Sequence, residues 1–383
     1  MRATLADAGL ARYAGRFVWL KLDFDKTENA AFIARHGVTA TPTFYVLDFH
    51  DEHATATQFG AMTLKELTAF LERGEQGMAA RAKTPADDAL AEGDQMLAGN
   101  KPIQAIAEYR EALHLGGPAW VQRERGIGAL ATALSATRQW QACAELAATD
   151  APSMSRQEMF GRVVLDGLGC ANAGQSASWT ESARKILVPL AVEAIALPAT
   201  VRDHRFQLYQ QLMVEAQSRN DKAAVNKWGG KWLAELDATK PVNDDERSAL
   251  DIARRDAAAI MGDPARVIPA LIASEKAMPN NYNASLRLAE LEVEAQRYDD
   301  AIAACNRGLA HATGPLGAAW LMQVKADALV KKGQKAEAHR VLQEALAAAQ
   351  KIGPERTREN NISRISDMLK QTENAGSALE RQD

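Results

Sequence analysis

The sequence predicts a mostly α chain led by a small α/β module, and three observations carry that expectation. Runs of aromatic and β-branched residues of strand type concentrate in residues 1–77. From about residue 79 onward alanine is abundant and apolar positions recur at helical spacing, a composition that suits closely packed small-residue helices. Late in the chain one helix-pair pattern of small, aromatic and leucine positions returns at a regular interval, the mark of stacked repeats.

In chain order, a first helical stretch leads into Phe17–Asp25 (FVWLKLDFD), which reads as a strand, as do Phe44–Glu52 (FYVLDFHDE) and Thr55–Ala61 (TATQFGA). Between the first two strands, Thr27–Gly37 reads as a short helix closed by glycine. Pro42 has no N–H to give a ladder and belongs at a strand start or a special turn. In TLKELTAFLERG, Thr63 is the N-cap and Glu66 follows three residues later, a capping box that opens the last helix of the module.

The succession LDFDKTENAAFIARHGVTATPTFYVLD, with Asp23, Asp25, Val38, Thr41, Pro42, Thr43, Phe44, Gly60 and Leu67 at matching positions, resembles the C-terminal part of a thioredoxin-like domain. The resemblance implies a cis-proline at Pro42 facing a redox dithiol, and a backbone at Thr41 that pairs with bound peptide. Thr41 and Pro42 are therefore the candidate peptide-binding residues. It also implies a Cys-x-x-Cys and a central strand ahead of Phe17, neither of which the sequence contains. Two explanations compete: a start assigned too late, with the dithiol and an export leader upstream, or a redox-inactive fragment that leans on the helices after it. Residues 1–77 hold no cysteine, so no catalytic residue is assigned and no thiolate chemistry can start there.

Residues 78–85 read as a polar linker, 86–372 as helical repeats with a C-terminal cap, and 373–383 as a frayed tail. In ALAEGDQMLAGNKPIQAIAEYREALHLGGP, Gly93, Ala105, Tyr109, Ala112, Leu113 and Pro118 match the tetratricopeptide repeat. There, small residues sit where two helices approach, an aromatic fills the hole and proline ends the unit. The resemblance returns at Pro279, Leu288, Ala289, Tyr298, Ala301, Cys305, Gly308 and Leu309, and again at Ala326, Gly333, Ala338, Leu342, Ala345 and Leu346. The middle is degenerate: segments around Trp140, Trp179 and Trp228, and one from Asp263, each read as a second helix. About seven pairs are expected, closed by the polar helix RTRENNISRISDMLKQ. The resemblance implies a right-handed helical solenoid whose inner groove holds a protein or peptide, with Asn100 and Lys101, or Asn283 and Arg287, as groove contacts. The family's carboxylate clamp is not evident. Trp228 and Trp232 are expected to fill space between helices, with Gly229 and Gly230 permitting close approach.

A net charge of −4 with interspersed signs gives no electrostatic case for nucleic acid. No apolar run is long enough to insert in a membrane. Cys143, Cys170 and Cys305 are far apart in apolar helical segments and are expected to be buried, inert thiols, neither a disulfide framework nor a zinc site. His50 and His53 fit a polar hairpin turn better than a metal site, and His36 a helix C-terminus. No cofactor and no hydrolase constellation is expected. Taken literally from Met1 the chain is soluble and unexported; an upstream leader would place it outside the cytoplasm. The expected function is a redox-inactive protein-interaction scaffold; the alternative is a thiol–disulfide oxidoreductase with its dithiol upstream and the repeats selecting substrates.

Overall fold

The computed structural model describes residues 2–5, 7–23, 42–48, 54–60, 62–78, 84–175 and 177–373, together with Asn29, Phe32, Ile33 and His36. The chain divides into two compact units, Met1–Leu212 and Met213–Asp383.

Unit one begins with the small module. Strands β1 (Thr43–Leu47) and β2 (Ala54–Phe59) pair antiparallel, Thr43 opposite Phe59, with a register irregularity after Val46. Pro42 is an exposed bend just ahead of β1, and its carbonyl accepts the Gly60 N–H at 2.9 Å. Gly60 holds φ at +85°, a conformation that costs glycine little. Helix α1 (Leu64–Met78) opens with the expected capping box: the Thr63 N–H donates to Glu66 at 2.6 Å, and the Glu66 N–H donates to Thr63 Oγ1 at 3.3 Å. Its Leu67, Phe70 and Leu71 form one core with Leu10, Tyr13, Val46 and Met62. Tyr13 ends a short 3-10 turn, Ala8–Tyr13, and donates its hydroxyl to Glu72 at 2.8 Å.

The first expected strand does not form over its described residues. Phe17–Asp23 has no regular structure, with Val18 88% and Leu20 74% exposed. Branched and aromatic side chains favour a pleated surface only where neighbouring strands complete it, and β1 pairs with β2 alone among the described residues. Of the expected helix Thr27–Gly37, Phe32, Ile33 and His36 are described and helical. His36 is buried beside the Phe32 and Tyr45 rings, and the Tyr45 hydroxyl donates to its carbonyl at 3.0 Å. Thr41, His50 and His53 lie outside the described residues.

Seven helix–turn–helix pairs follow. They are α2 (Pro85–Ala98) with α3 (Pro102–Gly116), α4 (Arg123–Ala136) with α5 (Trp140–Asp150), α6 (Glu158–Ala173) with α7 (Thr180–Ala196), and α8 (Arg202–Ser218) with α9 (Lys222–Ala238). Then come α10 (Asp244–Met261) with α11 (Ile268–Ala277), α12 (Tyr282–Glu294) with α13 (Tyr298–His311), and α14 (Pro315–Lys331) with α15 (Lys335–Ala349). Helices α5, α7, α9 and α11 are the second helices that the degenerate middle of the sequence predicts. Helix α16 (Glu355–Glu373) closes unit two, burying Ile365 completely against a core that includes Leu342, Ala345 and Ala349 while most of its polar residues stay in solvent.

The expected small–aromatic fit is present in the first pair. Tyr109 is fully buried, and a Cβ on Gly93 would lie 2.5 Å from its ring. Each turn inside a pair carries one left-handed residue: Asn100 (56°), Arg138 (59°), Gln175 (53°), Asn220 (57°), Gly262 (67°), Gln296 (61°) and Gly333 (86°). In six of these turns the next residue's N–H reaches back to the carbonyl five positions earlier, at 2.8–3.0 Å, the bond that closes a helix C-terminus around a left-handed residue.

The cysteines correct the sequence reading. Cys143 on α5 and Cys170 on α6 form a disulfide, with Cα atoms 6.1 Å apart and both residues fully buried. Their 27-residue separation gives no hint of this, because two helices and a turn fold back between them. Cys305 is the buried thiol expected, and burial pushes its pKa up to about 12.

Candidate functional site

The first helices of the pairs carry a polar seam. In unit one, Tyr109 donates to Asp94 at 3.0 Å, and Asp94 also pairs with Arg125 on α4. Asp166 on α6 accepts from Thr132 on α4 at 2.8 Å and from Arg162 at 3.0 Å, and Arg162 also donates to Thr132 at 3.1 Å. Asn172 on α6 donates to Gln211 on α8 at 2.9 Å. These bonds tie each first helix to the next.

Unit two concentrates guanidinium groups on the corresponding helices. On α10, Ser248, Asp251 and Arg255 follow at i, i+3 and i+7, and on α12 Arg287, Glu290 and Glu294 do the same, so each triplet shares a face. Arg287 donates to Ser248 at 3.1 Å, and Arg255 pairs with Glu290. Asp251 is almost fully buried and accepts from Ser274 at 2.5 Å and from Arg254 at 3.2 Å. Burial lowers the Arg287 pKa against the opposing pull of Asp251 and Glu290. Burial likewise raises the Glu290 carboxyl, with Arg255, Arg364 and Arg287 among the charges around it. The Nε atoms of Arg247 and Arg287 are buried without a hydrogen-bond partner. Two planar forks thus retain unspent donor capacity: Arg287, on a face it shares with Arg255, Asp251, Glu290 and Glu294, and Arg247, beside Ser248 on α10.

Residues 258–320 match the tetratricopeptide repeat family model. That span runs from the end of α10 through α11, α12 and α13 into α14, and so contains Arg287 and Glu290. Among solved structures, the TPR2AB domain of yeast Sti1 in its pHSP90 complex is similar over 75% of this chain and 98% of that one, at 14% identity and a TM-score of 0.29. A tetratricopeptide repeat protein from Parabacteroides merdae is similar over the same shares, at 14% identity and a TM-score of 0.39. No curated protein matches. With TM-scores below 0.5, neither superposition bears on function.

The candidate residues fare unequally. Thr41 is not described, and Pro42 shapes the entry to β1. Asn100 is the left-handed residue of the first repeat turn, and both it and Lys101, which follows at the head of α3, are exposed. Arg287 belongs to the arginine-rich face, whereas the Asn283 N–H donates to Asn281, which caps the same helix. Trp232 is buried and Gly229 permits close approach, since a Cβ there would lie 2.5 Å from Met261 Sδ. Trp228 departs from the reading: it is half-buried between Lys227 and Lys231, whose ammonium groups lie 4.8 and 5.0 Å from its rings. Gly230 meets nothing closer than Arg266, 3.5 Å away. The residues missed are Arg247, Arg255 and Asp251; their signal is charge at i, i+4 and i+8 on α10.

No helix among the described residues is long and apolar enough to cross a membrane, and no group of three His, Cys, Asp or Glu residues there could hold a metal ion.

Proposed function

We propose that this chain is a protein-binding scaffold whose tetratricopeptide-like first helices in unit two hold an extended peptide through its carboxylates and backbone carbonyls. The observation that carries this reading is the pair of buried guanidinium Nε donors, on Arg247 and Arg287, left without partners. A buried donor without a partner costs about 1–3 kcal/mol, and a peptide oxygen seated on this face would remove that cost. A small cluster of anchored arginines surrounded by weaker contacts is also how interfaces concentrate binding energy.

The test is binding of the full chain to an array of octapeptides graded in Asp and Glu content. Binding should rise with acidic content and fall at least tenfold in Arg287→Gln and Arg247→Gln, while Lys227→Gln leaves it unchanged. Equal binding by wild type and both arginine variants would refute the site. The small N-terminal module is proposed as a second peptide contact at Thr41 and Pro42, by its thioredoxin-like resemblance alone. Catalysis of thiol–disulfide exchange on protein substrates draws no support from its cysteines, all three of which are fully buried.

A further inference from the structure

The buried disulfide joins α5 to α6 where the two helices approach most closely. Helices α5 and α6 meet through small residues: Ala144, Ala147 and Ala171 are fully buried, and a Cβ on Gly167 would lie 2.2 Å from that of Ala147. Small side chains bring these two backbones close, and the covalent bond fixes their register at that point, adding to the apolar core and to the Thr132–Asp166 seam that also join the second and third pairs. The Sγ–Sγ bond lies one turn from Ala147 on α5 and one turn from Gly167 on α6, within this close approach.

The same bond lies one turn from an aromatic cleft. Trp140 opens α5 three residues before Cys143. Trp179 packs on Gly174, four residues after Cys170, where a Cβ would lie 2.4 Å from the indole. The two tryptophans, with Arg138, Gln139, Gln141 and Glu145, line an open cleft of about 470 Å³. One wall opens α5 and the other, at the N-cap of α7, packs on the C-cap of α6, so the disulfide ties together the two helices that support the cleft.

We propose that Cys143–Cys170 is a redox-controlled lock: oxidation joins the second and third pairs and fixes the Trp140–Trp179 cleft, and reduction by a dithiol loosens both. In the reducing direction a dithiol gives up two electrons and two protons, the Sγ–Sγ bond breaks, both cysteine sulfurs leave as thiols, and the dithiol closes to a disulfide. A disulfide oxidant reverses the step. Full burial makes the bond accessible only when the junction opens, and it places maturation of this chain under oxidising conditions. Cys305 takes no part, because its thiol, pushed up to about 12, stays protonated at neutral pH.

The experiment uses the full chain equilibrated with oxidised glutathione, then denatured and alkylated before and after dithiothreitol. One labelled thiol should become three; three labelled at the outset would overturn the bond itself. Hydrogen exchange is then compared between the oxidised chain and the reduced chain, their masses two hydrogens apart. Amides of residues 139–147 and 166–175 should exchange at least tenfold faster after reduction while those of α12–α15 do not change. The melting temperature of unit one should fall by roughly 10 °C. Unchanged exchange in a chain shown by mass to be reduced would sink the lock. The Cys143→Ala/Cys170→Ala double variant should match the reduced wild type and ignore dithiothreitol; the wild-type comparison decides the matter even where that variant folds poorly.

Discussion

Five of the seven left-handed turn residues are not glycine. Arg138, Gln175 and Gln296 pay the usual penalty of Cβ against the following carbonyl, about 1–2 kcal/mol each. Asn100 and Asn220 are the mildest cases, since asparagine tolerates this region better than most other non-glycine residues. Gln296→Gly should therefore raise stability by about 0.5–1 kcal/mol, less than the full penalty because glycine also gains freedom in the unfolded chain, and Gly333→Ala should lower it by about 1 kcal/mol. Urea denaturation of both variants checks the pair of opposite signs. His204 on α8 is a different kind of residue. Burial, with Arg162 adding to it, holds its imidazole down to about 4 from 6.5, and its Nδ1 is buried without a partner. Above pH 6.5 both folded and unfolded chains hold it neutral, so it has no effect there. As pH falls from 6.5 towards 4 the unfolded chain takes a proton that the folded chain refuses, and stability drops by up to about 3 kcal/mol. His204→Gln should flatten that slope; a slope unchanged in the variant would assign it to other groups.

At the scale of elements, the junctions between pairs depend on residues that serve two helices at once. Asp87 completes the capping box of α2, where the Thr84 N–H donates to it at 3.0 Å and its own N–H donates back to Thr84 Oγ1 at 3.2 Å. The same carboxylate accepts from Trp120 Nε1 at 2.9 Å and from Gln122 at 2.6 Å, just ahead of α4. Its pKa is lowered, the hydrogen bonds outweighing the opposing effect of burial. Asp87→Ala should cost about 2–3 kcal/mol, more than a cap alone, and fluorescence should show Trp120 becoming more exposed. Gly93→Ala should cost about 1–3 kcal/mol by forcing the Tyr109 ring aside, and a Gly93→Ala/Tyr109→Leu double variant should recover part of it. These two elements also show how far the sequence could be read. Gly93 and Tyr109 were legible because a small residue and an aromatic at repeat spacing have one purpose, to let helices approach and to fill the gap. Asp87 to Trp120 was not, because the bond joins consecutive pairs and nothing local reports which turn a carboxylate will meet. Phe17–Asp23 failed for the complementary reason: local propensity favoured a strand, but a strand is completed only by a neighbour. The arginine face was half legible, Arg287 by position on a first helix and Arg247 and Arg255 only once α10 and α12 lie side by side.

At the scale of the whole chain, repeat architectures gather their core from neighbour to neighbour, so a lesion at one end should spread within its own compact unit first. Helix α16 offers the sharpest place to see this. Its one fully buried apolar side chain, Ile365, closes the core formed by Ala319, Leu329, Leu342, Ala345 and Ala349, while Asn361 accepts from Trp320 at 3.1 Å at the same seam. Ile365→Ala removes three buried carbons from this last layer and should cost about 2–4 kcal/mol, the range for large-to-small changes in a packed core. Ile365→Asp adds a charge with no partner and should detach the helix altogether. Unit one shares none of these contacts, so its exchange pattern, including that of the amides around Cys143 and Cys170, should be that of the wild type in both variants. Hydrogen exchange followed by mass spectrometry reads both units in one sample: faster exchange confined to α14–α16 and then spreading to α12 and α13 is the expected order, and simultaneous loss across α2–α7 would mean that the chain melts as one cooperative body rather than repeat by repeat.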